Sequence, residues 1–219
     1  MASIPVGGLL TCNPIAYKWL APFRCWVLRE AAFWRLTDLL TQSYYLHQQG
    51  HGLGARILLR SGFETLAALI YLNHNIDAVL EGEMAFHKFS NLTTRQVGGS
   101  KNVPERPSAV NVITMIDKGD KKYTGLRQLY DSLSESAHPN FEGLVWGYSK
   151  VDHEEYETKF RNRWMELHGV SHPNSMELCM SIFRHEYEDV WVALMDKLES
   201  WIVANDALME ETKNVPLQD

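Results

Sequence analysis

The stretch Ala55-Arg56-Ile57-Leu58-Leu59-Arg60-Ser61-Gly62-Phe63-Glu64-Thr65-Leu66-Ala67-Ala68-Leu69-Ile70-Tyr71-Leu72 decides the fold class. From Ile57 onward it is apolar around most of a helical circumference, the pattern of a helix buried on several sides. Arg56, Arg60 and Glu64 recur at i, i+4 and i+8, which places them on one stripe of that helix. If the stripe faces inward its charges must be paired, because a lone ion in an apolar interior carries a heavy desolvation cost.

Working outward, the chain reads as helices divided by short breakers. Asn13-Pro14 is a start signal, with Asn as the cap and Pro at the first helical position. Trp19, Phe23, Trp26, Val27, Trp34 and Leu39 continue an apolar face to about Gln48, with a kink or break expected at Pro22. Gly50, Gly52 and Gly54 end this helix, and the central helix runs to about Asn73. A third helix is expected from Ile76 to Leu92, then a loop from Val97 to Pro107. Ser108 opens a short helix ended by Gly119, and Tyr123 to His138 forms another, stopped by Pro139. Val145 to Tyr148 and Tyr156 to Phe160 alternate like a hairpin, whereas Arg161 to His168 reads as helical. Asn174 with Glu177 is the capping box of a last helix that carries Cys179, Phe183, Trp191, Leu198 and Trp201 to about Met209. The expected fold is all-α: an antiparallel helical bundle of five to seven helices in a single domain over residues 1–219. An irregular or hairpin excursion occupies about 141–160 and a long C-terminal helix about 174–209.

Composition narrows the class of protein. Hydrophobic residues at 45% and charged residues at 22% are the proportions of an ordinary globular chain. A formal charge of -6 argues against a surface built for nucleic acid, which is usually basic. Cys12, Cys25 and Cys179 are odd in number and form no C-x-x-C pair, so they read as reduced core thiols. The segment Met1 to Leu10 lacks the basic start of a signal peptide, and the longest apolar run is interrupted by Arg60 and Glu64. A cytoplasmic location without a membrane partner is the expectation.

A second polar stripe lies on the helix that ends at His138. Tyr130, Ser134 and His138 are again spaced i, i+4, i+8. Facing the first stripe, they would form a polar cluster of Arg60, Glu64, Tyr130, Ser134 and His138, with Glu64 orienting His138 or bonding Tyr130. Such a cluster is either a binding or acid–base site, or a satisfied network that fixes how two helices pack. Both readings stay open on spacing alone.

The segments Leu59-Arg60-Ser61-Gly62-Phe63-Glu64 and Tyr130-Asp131-Ser132-Leu133-Ser134-Glu135-Ser136-Ala137-His138-Pro139 resemble two motifs of an uncharacterised bacterial family of all-helical proteins: Arg-x-x-x-Glu, and Tyr-x-x-Leu-Ser-x-x-x-His-Pro. More distantly, the layout is similar to HEPN domains, helical bundles of toxin and phage-defence systems whose active members cut RNA. That resemblance implies a metal-independent endoribonuclease in which an Arg and a His meet at a homodimer interface and act on the RNA 2′-hydroxyl. The matching residues here are Arg161, followed by Asn162, or Arg163, with His168. The rival reading belongs to another class: a non-enzymatic dimeric interaction module that uses its long last helix and tryptophans.

Metal and cofactor chemistry find little support. His47 and His51 are a turn apart, but Gly50 lies between them; Glu83 and His87 share a face without further ligands. Glu135-Ser136-Ala137-His138 has the Glu-x-x-His spacing of di-iron bundles but lacks the second copy they need. No phosphate loop, G-x-S-x-G elbow or H-E-x-x-H occurs. No metal ligands and no cofactor are therefore expected. The recurrence of His138-Pro139-Asn140 as His172-Pro173-Asn174 is read as helix punctuation.

Overall fold

The computed structural model describes residues 13–214, so Cys12 lies outside the described residues. Helix α1 (Pro14–Tyr17) starts where Asn13 accepts the Ile15 N–H at 2.9 Å, and Leu20, with φ of 53°, separates it from α2 (Ala21–Gln48). Gly50, with φ of 78°, turns the chain into α3 (Gly52–Leu80). Then follow α4 (Phe86–Gly98), α5 (Val112–Lys122) and α6 (Leu126–Ala137). A π-helical turn at Phe141–Trp146 leads to a hairpin of β1 (Ser149–Asp152) and β2 (Glu157–Phe160). The chain closes with α7 (Trp164–His168), α8 (His172–Arg184), a π-helical segment (His185–Val190) and α9 (Trp191–Thr212). The fold is all-α, a helical bundle with a small two-stranded insertion. Of the nine helices among the described residues, α1 and α7 are single turns, which leaves seven longer ones.

Several boundaries differ from the sequence expectation. The central helix does not stop at Asn73. Asn73 and Asn75 are buried, and the Asn73 amide donates to the Glu186 carboxylate at 2.7 Å and its carbonyl at 3.0 Å, so this Asn serves a core contact and α3 runs on to Leu80, with Gly82 at φ of 75° just beyond it. Gly52 and Gly54 open α3 instead of closing α2. A β-carbon on Gly52 would lie 2.9 Å from that of Trp164, so the glycine serves close packing. Helix α5 begins at Val112, where Asn111 accepts the Ile113 N–H, and passes through the buried Gly119. Val145 to Tyr148 is not a strand. Asn140 accepts the N–H groups of Gly143 and Leu144, which winds this segment into the π turn and moves the first strand to Ser149. Helix α8 starts at His172, two residues ahead of the expected Asn174 cap.

The chain divides into two compact units, and each of the long helices α2 and α3 contributes to both. Unit one comprises residues 1–33, 68–115 and 184–219. Its core joins Leu69, Ile76, Val79, Phe86, Phe89, Leu198 and Ile202, with Trp26 edge-on to Trp191 at 4.5 Å and Phe86 stacked on Trp201 at 6.0 Å. Unit two comprises residues 34–67 and 116–183 and carries both polar stripes and the hairpin. Leu36, Leu40, Leu59, Phe63, Leu66, Ile116, Leu133, Trp164 and Cys179 are among its buried apolar residues. Gly62 faces the Leu36 and Leu40 side chains, where a β-carbon would meet them only at ordinary contact distance. No helix among the described residues is long and apolar enough to cross a membrane.

Candidate functional site

The two stripes meet inside unit two. Residues ascending α3 pair with residues descending α6, so these helix segments run antiparallel. Arg60 donates from Nε to Ser134 Oγ at 2.9 Å and from Nη2 to Tyr130 Oη at 2.8 Å, and it pairs with Glu64 at 3.1 Å. Tyr130 in turn donates its hydroxyl proton to Glu64 Oε1 at 3.1 Å, and the Arg60 guanidinium lies 5.2 Å from the Tyr130 ring centre. Arg60 and Glu64 are about a quarter exposed, so the pair sits at the edge of the unit. Of the five residues expected to cluster, four do so. His138 stays apart: it caps α6, is exposed, and takes an extended conformation as the residue before Pro139.

Arg56 builds a second, deeper layer. It is 5% exposed and donates to Ser136 Oγ at 2.8 Å and to the Ser132 carbonyl at 3.0 Å. Burial lowers its pKa and the nearby Glu142 raises it. Ser136 passes its own proton to Glu142 Oε1 at 3.0 Å, and His168 Nε2 lies 3.8 Å from the same oxygen. His168 stacks on Trp164 at 5.6 Å. Burial, reinforced by Arg56, holds its pKa down at about 4.

Beneath this layer lies a histidine pair. His172 is 2% exposed and stacks on His47 with ring centres 5.0 Å apart. Ser43 gives its proton to the Ala55 carbonyl at 2.8 Å, so His172 Nε2, 3.0 Å away, must be the donor to Ser43 Oγ. The same reasoning puts the proton of His47 on Nε2, which donates to the Gly169 carbonyl at 2.8 Å. Burial first, then His47, Arg56 and His168, keep the His172 pKa at about 4. His47 Nδ1, His168 Nε2 and His172 Nδ1 are enclosed without hydrogen-bond partners.

The residues matched to the ribonuclease motif have other partners. Arg163 is 8% exposed, and its guanidinium donates to the carbonyls of Ser149 at 2.6 Å and Trp146 at 3.2 Å and to Glu166 at 3.0 Å. Arg161 is exposed and also pairs with Glu166, at 2.6 Å. His168 is directed at Glu142 and Trp164, so it shares no partner with either arginine. Among the described residues, no group of three or more His, Cys, Asp or Glu side chains is placed to hold a metal ion.

Ser136, Glu142, His47 and His172 are not legible as one site in the sequence, where His47 is only a weak metal candidate beside His51 and His172 reads as helix punctuation. Ser132 and Ser136 have the same i, i+4 spacing as Tyr130 and Ser134, which was the available signal for the Arg56 layer. His47 and His172 come from helices far apart in the chain and leave no local pattern. Comparison with protein-family models, with curated proteins and with solved structures finds no match to this chain.

Proposed function

We propose that this chain is a cytoplasmic bacterial helical protein of HEPN-like type that works as a non-enzymatic dimeric interaction module, with its polar network holding helices together. The single observation that carries the reading is the enclosure of His168 Nε2, which has neither a hydrogen-bond partner nor an opening to substrate. A general base needs its lone pair within hydrogen-bond reach of the substrate proton. Arg163 supports the same reading, because its guanidinium is committed to two main-chain carbonyls and a carboxylate at the stem of the hairpin.

A ribonuclease reading has one observation in its favour: Arg56, Ser136, Glu142 and His168 form a continuous chain of cation, hydroxyl, carboxylate and imidazole. It requires that His168 Nε2 be uncovered first. The experiment that separates the two is incubation of the purified protein with single-stranded RNA in the presence of a chelator. Intact RNA is the expected result. Cleavage by the wild type that is abolished in both His168→Ala and Arg163→Ala would overturn the proposal.

A further inference from the structure

The outer strand of the hairpin carries a pattern that fits itself. Strand β2 with its preceding residue reads Tyr156-Glu157-Thr158-Lys159-Phe160: aromatic, acid, threonine, base, aromatic. All four residues of β2 are exposed, and Tyr156 and Phe160 are 95% and 80% exposed. The Arg161 N–H donates to the Tyr148 carbonyl at 2.9 Å, so by antiparallel alternation the main-chain groups of Glu157 and Lys159 face β1. Those of Thr158 and Phe160 face away from it. Such an edge is a ready template for another strand.

Charges inside the hairpin are poorly matched. The register sets Lys150 opposite Lys159 and Asp152 opposite Glu157, two like-charge rungs on one face. A diagonal contact of Lys159 to Asp152 at 3.3 Å offsets part of this, whereas Glu157 has no ion pair within the described residues.

Resting on the interaction-module reading, we infer that β2 pairs antiparallel with β2 of a second copy of this chain about a two-fold axis at Thr158. That register sets Glu157 against Lys159 of the second copy and the reverse, Thr158 against Thr158, and Phe160 beside Tyr156. Glu157 and Lys159 then each meet an opposite charge, the bare rings of Tyr156 and Phe160 meet one another, and the contact is isologous. The last helix offers less for this purpose, since Trp191 is buried and Trp201 packs on Phe86 within unit one.

The test is sedimentation equilibrium of four samples. Wild type is expected to dimerise at concentrations up to about 100 μM. Glu157→Lys and Lys159→Glu are each expected to weaken self-association about tenfold or more, because each sets like charges across the new ladder. Each variant converts a like-charge rung with Asp152 or Lys150 into an opposite-charge one, which in Lys159→Glu replaces the lost diagonal contact to Asp152. An equimolar mixture of the two variants is expected to recover a dimer, because one strand then carries bases at both positions and faces a strand with acids at both. Wild type that stays monomeric throughout this range, or a dimer indifferent to both substitutions, overturns the inference. Failure here leaves the RNA result untouched, so the strand-pairing claim and the broader reading fall separately.

Discussion

The Tyr130 hydroxyl accepts a hydrogen bond from Arg60 Nη2 at 2.8 Å while donating to Glu64 Oε1 at 3.1 Å, so one phenol joins the two members of an i, i+4 ion pair from the facing helix. The arrangement converts a surface ion pair, which alone contributes little, into a three-point clasp between α3 and α6. Tyr130→Phe removes the donor and acceptor while keeping the 2% exposed ring in place. The expected loss is about 1–2 kcal/mol of unfolding free energy, read from urea denaturation.

Arg163→Ala removes the guanidinium that donates to the carbonyls of Trp146 and Ser149. Those carbonyls flank Gly147, which packs on the buried Trp164, and Glu166 loses the partner that holds its carboxyl below the usual range. The substitution is expected to cost about 2–4 kcal/mol. Hydrogen exchange should rise first at the hairpin stem, and unchanged protection there would count against the role.

Gly147 has the Trp164 ring against its α-carbon, and a β-carbon there would collide with the indole. Gly147→Ala is expected to destabilise by about 1–3 kcal/mol through forced displacement of a fully buried side chain. The melting temperature of this variant against that of Gly82→Ala, where space is open and only the positive φ is at issue, separates crowding from backbone strain.

The histidine layer makes stability pH-dependent with a definite sign. His172 and His168 have pKa values near 4 in the fold against about 6.5 when free. Below about 6.5 the unfolded chain binds protons that the folded chain refuses, so their contribution is full above that pH and is lost progressively toward 4. The groups facing His172 are His47, Arg56, His168 and Ser43, none of them an anion that would hold the protonated form. Replacing it, as in His172→Gln, should flatten the fall of melting temperature between about pH 6.5 and 5. A slope equal to that of wild type would refute the assignment.

The thiols should be inert in the folded protein. Burial pushes the Cys179 thiol up to about 12 and the Cys25 thiol higher still, leaving little thiolate at neutral pH. Site-resolved mass spectrometry after brief alkylation should find both unmodified until denaturant is added.

The fold was readable where hydrophobic pattern dominates. Ile57 to Leu72 is apolar nearly all round, and only a buried helix satisfies such a segment, as α3 does. The pattern failed where a polar residue plays two roles. Asn73 resembles a helix end because Asn favours caps, yet its amide is used on Glu186 deep in unit one. Val145 to Tyr148 alternates like a strand, but Asn140 commits the preceding turn before that alternation can act. For the site, the i, i+4 stripes located Arg60, Glu64, Tyr130 and Ser134, because helical spacing alone aligns them. His138 has the same spacing but falls past the last turn of α6, where Pro139 extends the backbone and swings the stripe away. The Arg56–Ser136–Glu142–His168 chain draws on α3, α6, the π turn and α7, a convergence that only tertiary packing creates.

The brace between α3 and α6 depends on Arg60 and Tyr130 acting as one unit. A double-mutant cycle with Arg60→Met, Tyr130→Phe and the pair, each measured by urea unfolding, isolates that coupling. The expected result is a coupling energy above about 0.5 kcal/mol, with the double variant losing less than the sum of the single losses. Losses that add to within about 0.3 kcal/mol would contradict the network as the brace between α3 and α6.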